Sequence, residues 1–264
     1  MLISIVIPTY ERPEFLRRLL HSISQQTFRD FEVLIIDDHS TQVDKYDEVL
    51  SFYSKLLPRI KYFRNSLNQG ACISRNRGIL EAKGEWVALV DDDDEWLPTK
   101  LQKQIKLIGE GSGSGPLGLI YTWAYAVKNN QKVWENRSEI EGNAIRDILK
   151  NCFIPSSSVL LKKEALIAAG MFDTSFPSCQ DWDMWTRVFA KGYECGVVKS
   201  FEIICHKHEL RSIGSGPKAS FGYELYSQKH KNLFRKHLFF SFFVKQIKTL
   251  VKNIITSKSK KQYQ

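Results

Sequence analysis

Four consecutive aspartates, Asp91–Asp94, are the residues of this 264-residue chain most clearly suited to chemistry. They follow a short apolar segment, 86–90, whose pattern predicts a buried strand. Four negative charges at this spacing repel each other, and a bound divalent cation would relieve that repulsion. Carboxylate oxygens favour Mg²⁺ or Mn²⁺, and phosphate oxygens commonly complete the coordination of these ions. In an extended segment Asp91 and Asp93 would point together into a cleft; the alternative is a solvated acidic turn before a helix.

Two further polar clusters, Thr9-Tyr10-Glu11 and Asp37-Asp38, each follow an apolar segment that reads as a strand. Asp38 is suited to accept hydrogen bonds from a base or a ribose, and the ring of Tyr10 offers a face for stacking. For the second cluster the alternative is a turn rich in Asp and Ser that binds only its own backbone.

The elements that would position these clusters alternate between strand and helix. The predicted strands cover 2–7, 31–36, 59–64 and 86–90, and the predicted helices cover 14–26, 43–57, 72–82 and 98–109. This alternation predicts an α/β fold with a largely parallel, Rossmann-like sheet and covering helices. The later part is less regular, with strands predicted at 117–127, 156–161 and 201–206 and a helix at 181–191, which indicates a mixed-sheet second half. Ligands of such sheets bind outside the carboxyl ends of the strands, so the three polar clusters should converge on one rim.

The positive charge of the chain is concentrated in its last forty residues. Ten of the 38 Lys and Arg residues fall in 225–264, where there is no acidic residue, so the remaining 28 nearly balance the 29 Asp and Glu. A nucleic-acid-binding protein would carry its positive patch across the folded body. The charge distribution therefore disfavours a nucleic-acid partner.

Several common site types are disfavoured by the positions of glycine and cysteine. The first glycine is Gly70, so no glycine-rich phosphate loop can follow the first strand. The GxGxxG match at Gly113, Gly115 and Gly118 follows a predicted helix and leads into a strand, the reverse of the dinucleotide-binding context. The five cysteines form no CxxC pair, which argues against a zinc ribbon or a disulfide framework.

Five sequence blocks, taken together, resemble glycosyltransferase family 2. They are VIPTYERP at 6–13, FEVLIIDDHST at 31–41, NQGACISRNRG at 68–78, GEWVALVDDDDEWLP at 84–98 and QDWDMW at 180–185. The resemblance implies an inverting enzyme with the GT-A fold that uses a nucleotide-diphosphate sugar as donor. The blocks follow the family's order from about residue 2 to residue 190.

The resemblance also implies roles for individual residues. It places Asp91 and Asp93 in the family's Asp-x-Asp element as metal ligands, with Asp93 the more direct one, and it suggests His208 as a further residue near the diphosphate or metal. The alternative for His208 is an ordinary surface histidine. The residues assigned to the nucleotide are Pro8, Thr9, Tyr10, Glu11, Asp38, Asp92 and, at the diphosphate, Arg75.

The block QDWD places the family's catalytic base at Asp181. Sugar transfer needs a leaving group stabilised by the metal and a base for the acceptor hydroxyl, and one carboxylate opposite the leaving group gives inversion. Many relatives carry Glu before this Asp, whereas this chain has Gln180, which should make the pKa of the base lower than in a Glu-Asp pair. The alternative is an Asp that only satisfies amides at a helix N-terminus. Trp182 and Trp185 could line the acceptor pocket, but core packing is the preferred interpretation.

The C-terminal tail reads as a basic amphipathic helix. Apolar residues recur at three- and four-residue steps between Leu233 and Ile255, with Lys and Arg mostly between them. Such a helix could lie on an anionic membrane, or it could dock on the domain with its cations in water. No apolar run is long enough for a signal peptide or a spanning helix, so we expect a cytoplasmic protein, with peripheral contact to the inner face of the membrane if the tail binds lipid.

Together these features predict one GT-A domain with a nucleotide-sugar-binding half (1–110), an acceptor-binding half (111–222) and the tail (223–264). The predicted activity is metal-dependent transfer of a sugar, with UDP-hexose or UDP-HexNAc as expected donor, to a hydroxyl of a cell-surface glycan such as lipopolysaccharide, capsule or a lipid-linked oligosaccharide. Two alternatives stay open at this point: a metal-dependent phosphotransferase or nuclease that uses the same aspartates, and a non-catalytic nucleotide-sugar-binding protein.

Overall fold

The computed structural model describes residues 1–111, 115–207 and 217–238, which form a mixed sheet of nine strands covered by helices. The strand order is β3-β2-β1-β4-β8-β6-β9-β5, and β7 pairs with β6. The strands are β1 (Ile3–Thr9), β2 (Phe31–Asp37), β3 (Ile60–Arg64), β4 (Trp86–Leu89), β5 (Asp94–Trp96), β6 (Leu117–Lys128), β7 (Gln131–Asn136), β8 (Leu160–Lys162) and β9 (Glu194–His206). The helices are α1 (Pro13–Ser24), α2 (Val43–Tyr53), α3 (Ala71–Glu81), α4 (Lys100–Glu110), α5 (Ile145–Lys150), α6 (Lys163–Ala168), α7 (Gln180–Ala190) and α8 (Pro217–Lys229).

The first half is the predicted parallel α/β unit. Strands β3, β2, β1 and β4 all run parallel, and the register places Thr9 beside Asp37 and Asp37 beside Arg64. β1 and β2 are buried along their whole length because α1 and α3 cover opposite faces of the sheet. The carboxyl ends of β1 and β2 therefore meet at one edge, as the sequence predicted.

Several strands differ from the predicted ones. The predicted strand 156–161 begins instead with a 3₁₀ turn, Ser156–Ser158, in which the Ser158 hydroxyl donates to the Pro155 carbonyl; the strand follows as β8. β9 starts at Glu194, well before the predicted 201, and pairs parallel to β6. β5 was not predicted, because three residues that begin with the last aspartate of an acidic run show no strand pattern of their own.

The core lies on both faces of the sheet in two clusters. Alternate residues of β1 separate them: Val6 packs with α3, whereas Ile5 and Ile7 pack with α1. Trp185 of α7 is fully buried in the first cluster, which confirms its predicted core role, and Trp182 packs against that cluster while partly exposed.

Residues 217–238 pack on the same side as α7. Leu233, Phe234 and Leu238 contact the first cluster, and Tyr226 is fully buried. Within the described ranges, no helix has both the length and the apolar character needed to cross a bilayer. The rest of the predicted amphipathic tail, residues 239–264, lies outside the described residues, so its membrane contact stays a prediction.

Candidate active site

A cavity of about 770 Å³ opens at the carboxyl edge of the parallel strands. It lies between the ends of β1 and β2, the turn after β4, the start of α3 and the start of α7. Nine of the predicted site residues line it: Pro8, Thr9, Tyr10, Asp38, Arg75, Asp91, Asp92, Asp93 and Asp181. The sequence blocks that are far apart in the chain thus meet at one cavity. Glu11 is not among the lining residues, and His208 lies outside the described residues.

Asp91, Asp92 and Asp93 occupy a turn between β4 and β5, not the extended segment that the sequence predicted, and Asp94 begins β5. The predicted alternation of exposure nevertheless occurs, since Asp92 and Asp94 are buried while Asp91 and Asp93 are partly exposed. Asp92 is held from β1, where the Thr9 hydroxyl donates to its Oδ2 at 2.8 Å. Asp91 and Asp93 are therefore the carboxylates of this turn that a ligand can reach most directly.

The acidic turn carries more negative charge than its surroundings neutralise. Burial, followed by the charge of Asp93, raises the pKa of Asp92 to about 7. Burial likewise raises the pKa of Asp94 well above its usual range, with Asp93 and Asp91 adding repulsion. Both shifts mean that the ionised form is disfavoured unless a cation is near.

Two arginines partly compensate that charge. Nη1 of Arg12 lies 3.3 Å from Asp92 Oδ1 and 3.2 Å from Asp93 Oδ2. Nη2 of Arg75 lies 2.5 Å from Asp91 Oδ1. The sequence analysis did not identify Arg12, although it stands directly after Glu11 in the first block of the resemblance. An arginine just before a helix gives no distinctive signal of its own.

The donor set fits a divalent cation that is shared with a phosphate ligand. The described residues contain no group of three His, Cys, Asp or Glu side chains that could enclose a metal by themselves. Asp91 and Asp93 supply hard carboxylate oxygens at the cavity wall. An ion held by two carboxylates would take its other ligands from water or from a diphosphate, which is the usual arrangement for Mg²⁺ at phosphate sites.

Arg75 lines the cavity, and one of its guanidinium nitrogens has no hydrogen-bond partner in the part of the chain that the structure describes. The side chain is buried, its guanidinium lies over the ring of Phe172 at 5.5 Å, and its Nη1 has no hydrogen-bond partner among the described residues. An unpaired buried N–H of a charged group is costly, and an anionic ligand would satisfy it. This nitrogen marks the place where a phosphate oxygen would be most stabilised.

Asp38 binds the loop that leads into α3. Its carboxylate accepts hydrogen bonds from the Asn65 side chain at 2.8 Å and from the backbone N–H of Gln69 and Gly70, at 3.0 and 2.7 Å for the closer oxygen of each. Gly70 has φ of 88°, a left-handed conformation that glycine adopts without strain. Asp38 thereby fixes the start of α3 at the cavity wall, while the neighbouring Asp37 is fully buried and bound to Ser40 and Tyr62.

Glu11 acts on a neighbouring loop. Its backbone has φ of 56°, a conformation that is uncommon outside glycine, and its carboxylate accepts hydrogen bonds from the backbone N–H and hydroxyl of Thr41 and from Gln42. The ring of the preceding Tyr10 is 45% exposed and lines the cavity. Glu11 thus ties the turn after β1 to the turn after β2, whereas Tyr10 is available for stacking.

Asp181 lies at the start of α7, after Cys179 in a left-handed conformation with φ of 58°. Its Oδ1 accepts a hydrogen bond from the Trp182 N–H at 2.8 Å, so it has the helix-terminal contact that the alternative reading predicted and also lines the cavity. Burial raises the pKa of Asp181; the positive charge of Arg75 acts against this shift and the charge of Asp91 adds to it. A carboxylate with a raised pKa is a better proton acceptor than an ordinary one.

Other lining residues have no prediction from the sequence. They include Asn68, Ser74, Ser156, Cys179 and Lys207. Lys207 directly follows β9 and donates its backbone N–H to the Val127 carbonyl at 2.8 Å, which brings an exposed cation to the cavity. The predicted strand 201–206 ends at the same residue as β9, so the strand-end rule that located the aspartates could also have located Lys207.

Residues 4–168 match the protein-family model described as Glycosyl transferase family 2. The chain is similar to the putative colanic acid biosynthesis glycosyl transferase WcaA of Escherichia coli K12, with 29% identity over 245 residues that cover 88% of this chain and 82% of the relative. It is also similar to WfgD of Escherichia coli, described as a UDP-Glc:alpha-D-GlcNAc-diphosphoundecaprenol beta-1,3-glucosyltransferase, with 27% identity over 209 residues that cover 79% of this chain and 77% of WfgD.

A solved structure shares the fold. Residues 1–349 of TarS from S. aureus, in complex with UDP-GlcNAc, match with a TM-score of 0.67 and 21% identity, over 82% of this chain and 61% of that one. The match confirms the predicted GT-A-type architecture, although this chain spans only about three fifths of the TarS chain. The family model covers well over half of the sequence. The chain therefore belongs to glycosyltransferase family 2 and is a glycosyltransferase.

Proposed function

We propose that this protein transfers a sugar from a nucleotide diphosphate, UDP foremost, to a hydroxyl of a cell-surface glycan with inversion, and that Asp181 is the general base. One observation carries the proposal: Asp181 lines the same cavity as the acidic turn and Arg75, whose Nη1 lacks a hydrogen-bond partner within the described ranges. A base and an anion-binding group in one cavity are what direct displacement of a diphosphate requires.

The donor would bind along the strand ends of the first half. Tyr10 offers its exposed ring to the base, and Thr9, Asp38 and the start of α3 form the wall beside it. Arg75 would donate from Nη1 to a phosphate oxygen, which would satisfy the hydrogen bond that it lacks. This arrangement supports the nucleotide assignments of Pro8, Thr9, Tyr10, Asp38 and Arg75; for Glu11 it supports an indirect role through the Thr41 loop.

Asp91 and Asp93 are the residues that would hold Mn²⁺ or Mg²⁺. When bound, the cation supplies Lewis-acid stabilisation to the departing nucleotide diphosphate. The protein itself contributes Arg12, which bridges Asp92 and Asp93, and Thr9, which fixes Asp92 against β1. These contacts hold the acidic turn in one position before the donor arrives, so little reorganisation is needed on binding.

Asp181 would take the proton of the acceptor hydroxyl as that oxygen attacks the anomeric carbon of the donor. The bond between the anomeric carbon and the diphosphate oxygen breaks as the new glycosidic bond forms, and the proton goes to the Asp181 carboxylate. The raised pKa of Asp181 favours this transfer. Because one carboxylate serves as base and no covalent intermediate forms, the product has inverted configuration.

The relatives support a glycan acceptor at the bacterial surface. WcaA is described as a putative colanic acid biosynthesis glycosyl transferase, and WfgD is described as a glucosyltransferase that acts on alpha-D-GlcNAc-diphosphoundecaprenol. We propose that this protein likewise uses a glycan or lipid-linked acceptor. We also propose that it is cytoplasmic and contacts an anionic membrane peripherally. The tail, 239–264, would supply that contact.

A donor panel tests the proposal. Purified protein is incubated with UDP-, GDP- and dTDP-sugars and Mn²⁺, with and without EDTA, and nucleotide diphosphate release is followed while each nucleotide is also tested by thermal shift. We expect metal-dependent release from one donor and a thermal shift with its nucleotide. Release of inorganic phosphate from nucleotides that carry no sugar would instead support a phosphotransferase, and neither release nor a shift with any donor would contradict the proposal.

A further inference from the structure

The geometry points to a role in catalysis for the helical segment 217–238, which lies outside the part of the chain that matches the family model. We propose that this segment clamps α7 so that Asp181 is held at the cavity, and that the buried Asp183 is its main positioning residue. The inference rests on the proposed function of Asp181 as the base. Its own structural content, that the segment holds the start of α7, can be tested separately.

Asp183 is the point where the segment and α7 are joined most strongly. Its side chain is fully buried. Oδ1 accepts a hydrogen bond from Nε2 of His230 at 2.8 Å and lies 2.9 Å from Nζ of Lys229, both in the segment. Oδ2 accepts from Nε and Nη2 of Arg187, one turn later in α7, at 2.9 and 2.7 Å. One carboxylate thus joins two helices through four contacts and has no exposure to water.

The side chains that surround Asp183 favour its ionised form. Burial alone would raise the pKa of Asp183, but the hydrogen bonds from His230 and Arg187 outweigh burial and lower it. Removing one partner of a buried ionic cluster leaves the others uncompensated, which is strongly unfavourable. The two helices should therefore separate only with difficulty.

Aromatic packing holds the residue between Asp181 and Asp183. The ring of Trp182 stacks on that of Tyr226 with centroids 4.4 Å apart and an interplanar angle of 28°. The hydroxyl of Tyr226 shares a 2.8 Å hydrogen bond with Thr186 of α7, and Nε1 of Trp182 donates to the Ile148 carbonyl at 2.6 Å. Trp182 is thus fixed between α5 and the segment.

A close backbone approach fixes the other side of Asp181. A Cβ placed on Gly222 would lie 2.6 Å from the Ser178 carbonyl oxygen, so the segment touches the chain directly before α7 and only glycine fits there. Ser178 precedes Cys179, Gln180 and Asp181, all of which line the cavity. The segment therefore contacts the chain on both sides of Asp181, at 178 and at 182–183.

Loss of these contacts should affect the rate of sugar transfer. A shift of about 1 Å in a reacting group can lower the rate about 100-fold without affecting residues that bind the substrate elsewhere. The donor-binding residues belong to β1, β2, α3 and the acidic turn, none of which contributes to the Asp183 cluster. Loosening the clamp should thus lower kcat and leave donor binding unchanged.

The test compares Asp183→Asn with Glu224→Gln, which makes the same carboxylate-to-amide change on the exposed side of α8. We expect Asp183→Asn to lower kcat by about 10- to 100-fold with the donor KM and the thermal shift by nucleotide unchanged, and Glu224→Gln to match the wild type. In hydrogen–deuterium exchange, the peptide covering 178–186 should exchange faster in Asp183→Asn, while 31–37 keeps its protection. An unchanged kcat, or a donor KM that rises by the same factor as kcat falls, would overturn the positioning role.

The experiment also covers two further cases, a variant that does not fold and a wild type that turns over no donor. If Asp183→Asn does not fold, the milder His230→Gln takes its place in the same measurements, with the same expected split and the same contradicting results. If the wild type turns over no donor, the proposed function has failed, and the exchange experiment alone judges the clamp: equal exchange of 178–186 in variant and wild type would overturn it.

Discussion

The two walls of the cavity are positioned by different means. The donor wall consists of strand ends and the loops directly after them, so the register of β1, β2 and β4 brings Thr9, Asp38 and Asp91 together. The base wall, named for the proposed base Asp181, is one helix start. α7 is held there by the core packing of Trp185 and by contacts with Tyr226 and His230, which lie 40 and 47 positions after their partners in α7. A residue whose position follows from strand register tolerates local change. A residue whose position follows from contacts with segments far away in the sequence depends on each of those contacts.

The largest expected effect on the donor wall comes from Arg75→Gln. The variant removes the charge that pairs with Asp91 and the unsatisfied N–H at the cavity. Since charge-assisted hydrogen bonds contribute about 1.5–3 kcal/mol, we expect donor nucleotide affinity to fall by about 10- to 100-fold in calorimetric titration. Arg77→Gln, on the same helix and bound to Asn65 instead, is the control and should bind like the wild type. Equal affinity in both variants would show that Arg75 does not face the diphosphate.

The packing of α3 on the sheet behind the donor wall can be tested at Gly78, with Gly109 of α4 as the comparison. A Cβ at Gly78 would meet side chains of Val6 and Ile36 in the core, so Gly78→Ala should lower the free energy of unfolding by about 1–3 kcal/mol. A Cβ at Gly109 meets nothing within 4 Å in α4, so Gly109→Ala should raise it by about 0.5–1 kcal/mol. Denaturant unfolding measures both. An unchanged free energy of unfolding in Gly78→Ala would show that α3 is not packed tightly against the sheet at this position.

The base wall has a distinct dependence on pH. Asp181 must be ionised to accept a proton, so kcat should fall as the pH is lowered through its pKa, which burial raises above the ordinary Asp value of 3.8. Gln180→Glu places a second carboxylate next to the base and should move this acid limb to higher pH. The measurement is kcat against pH at saturating donor. An acid limb at or below the ordinary Asp range would argue against a buried base.

The smallest effect concerns stacking on Tyr10. Its ring is exposed at the cavity, and stacking of a base on an aromatic ring contributes about 1–3 kcal/mol. We therefore expect Tyr10→Ala to weaken nucleotide binding by about tenfold and Tyr10→Phe to leave it unchanged. A loss in Tyr10→Phe equal to that in Tyr10→Ala would show that the hydroxyl, not the ring, makes the contact.

The contrast between the donor wall and the base wall explains which features could be predicted from the sequence. Strand ends in a parallel sheet follow from local patterns, so Asp38, Asp91 and Asp93 could be assigned to one rim before the fold was known. Arg12 was not predicted as a site residue, because its role depends on the turn that brings Asp92 and Asp93 close to it. β5 escaped for a similar reason, since it is defined by its pairing with β9.

The base helix shows the limit of local patterns most clearly. Asp181 was assigned from the resemblance, and its helix start followed from the sequence. Nothing local to QDWD indicates that Asp183 binds His230 and Lys229, because those contacts join segments that are separated by about 45 residues and depend on how the C-terminal helices dock. Periodicity in the tail predicted a helix but not the part of the protein that it contacts.

The proposed role of Asp181 as the base is tested by comparing Asp181→Asn with the wild type in sugar transfer and in nucleotide binding. The substitution keeps the shape of the side chain and its place at the cavity but removes the proton acceptor. If Asp181 is the base, kcat should fall by about 10²- to 10⁴-fold while the affinity for the donor nucleotide stays the same. A transfer rate equal to that of the wild type would contradict the assignment of Asp181 and the mechanism built on it.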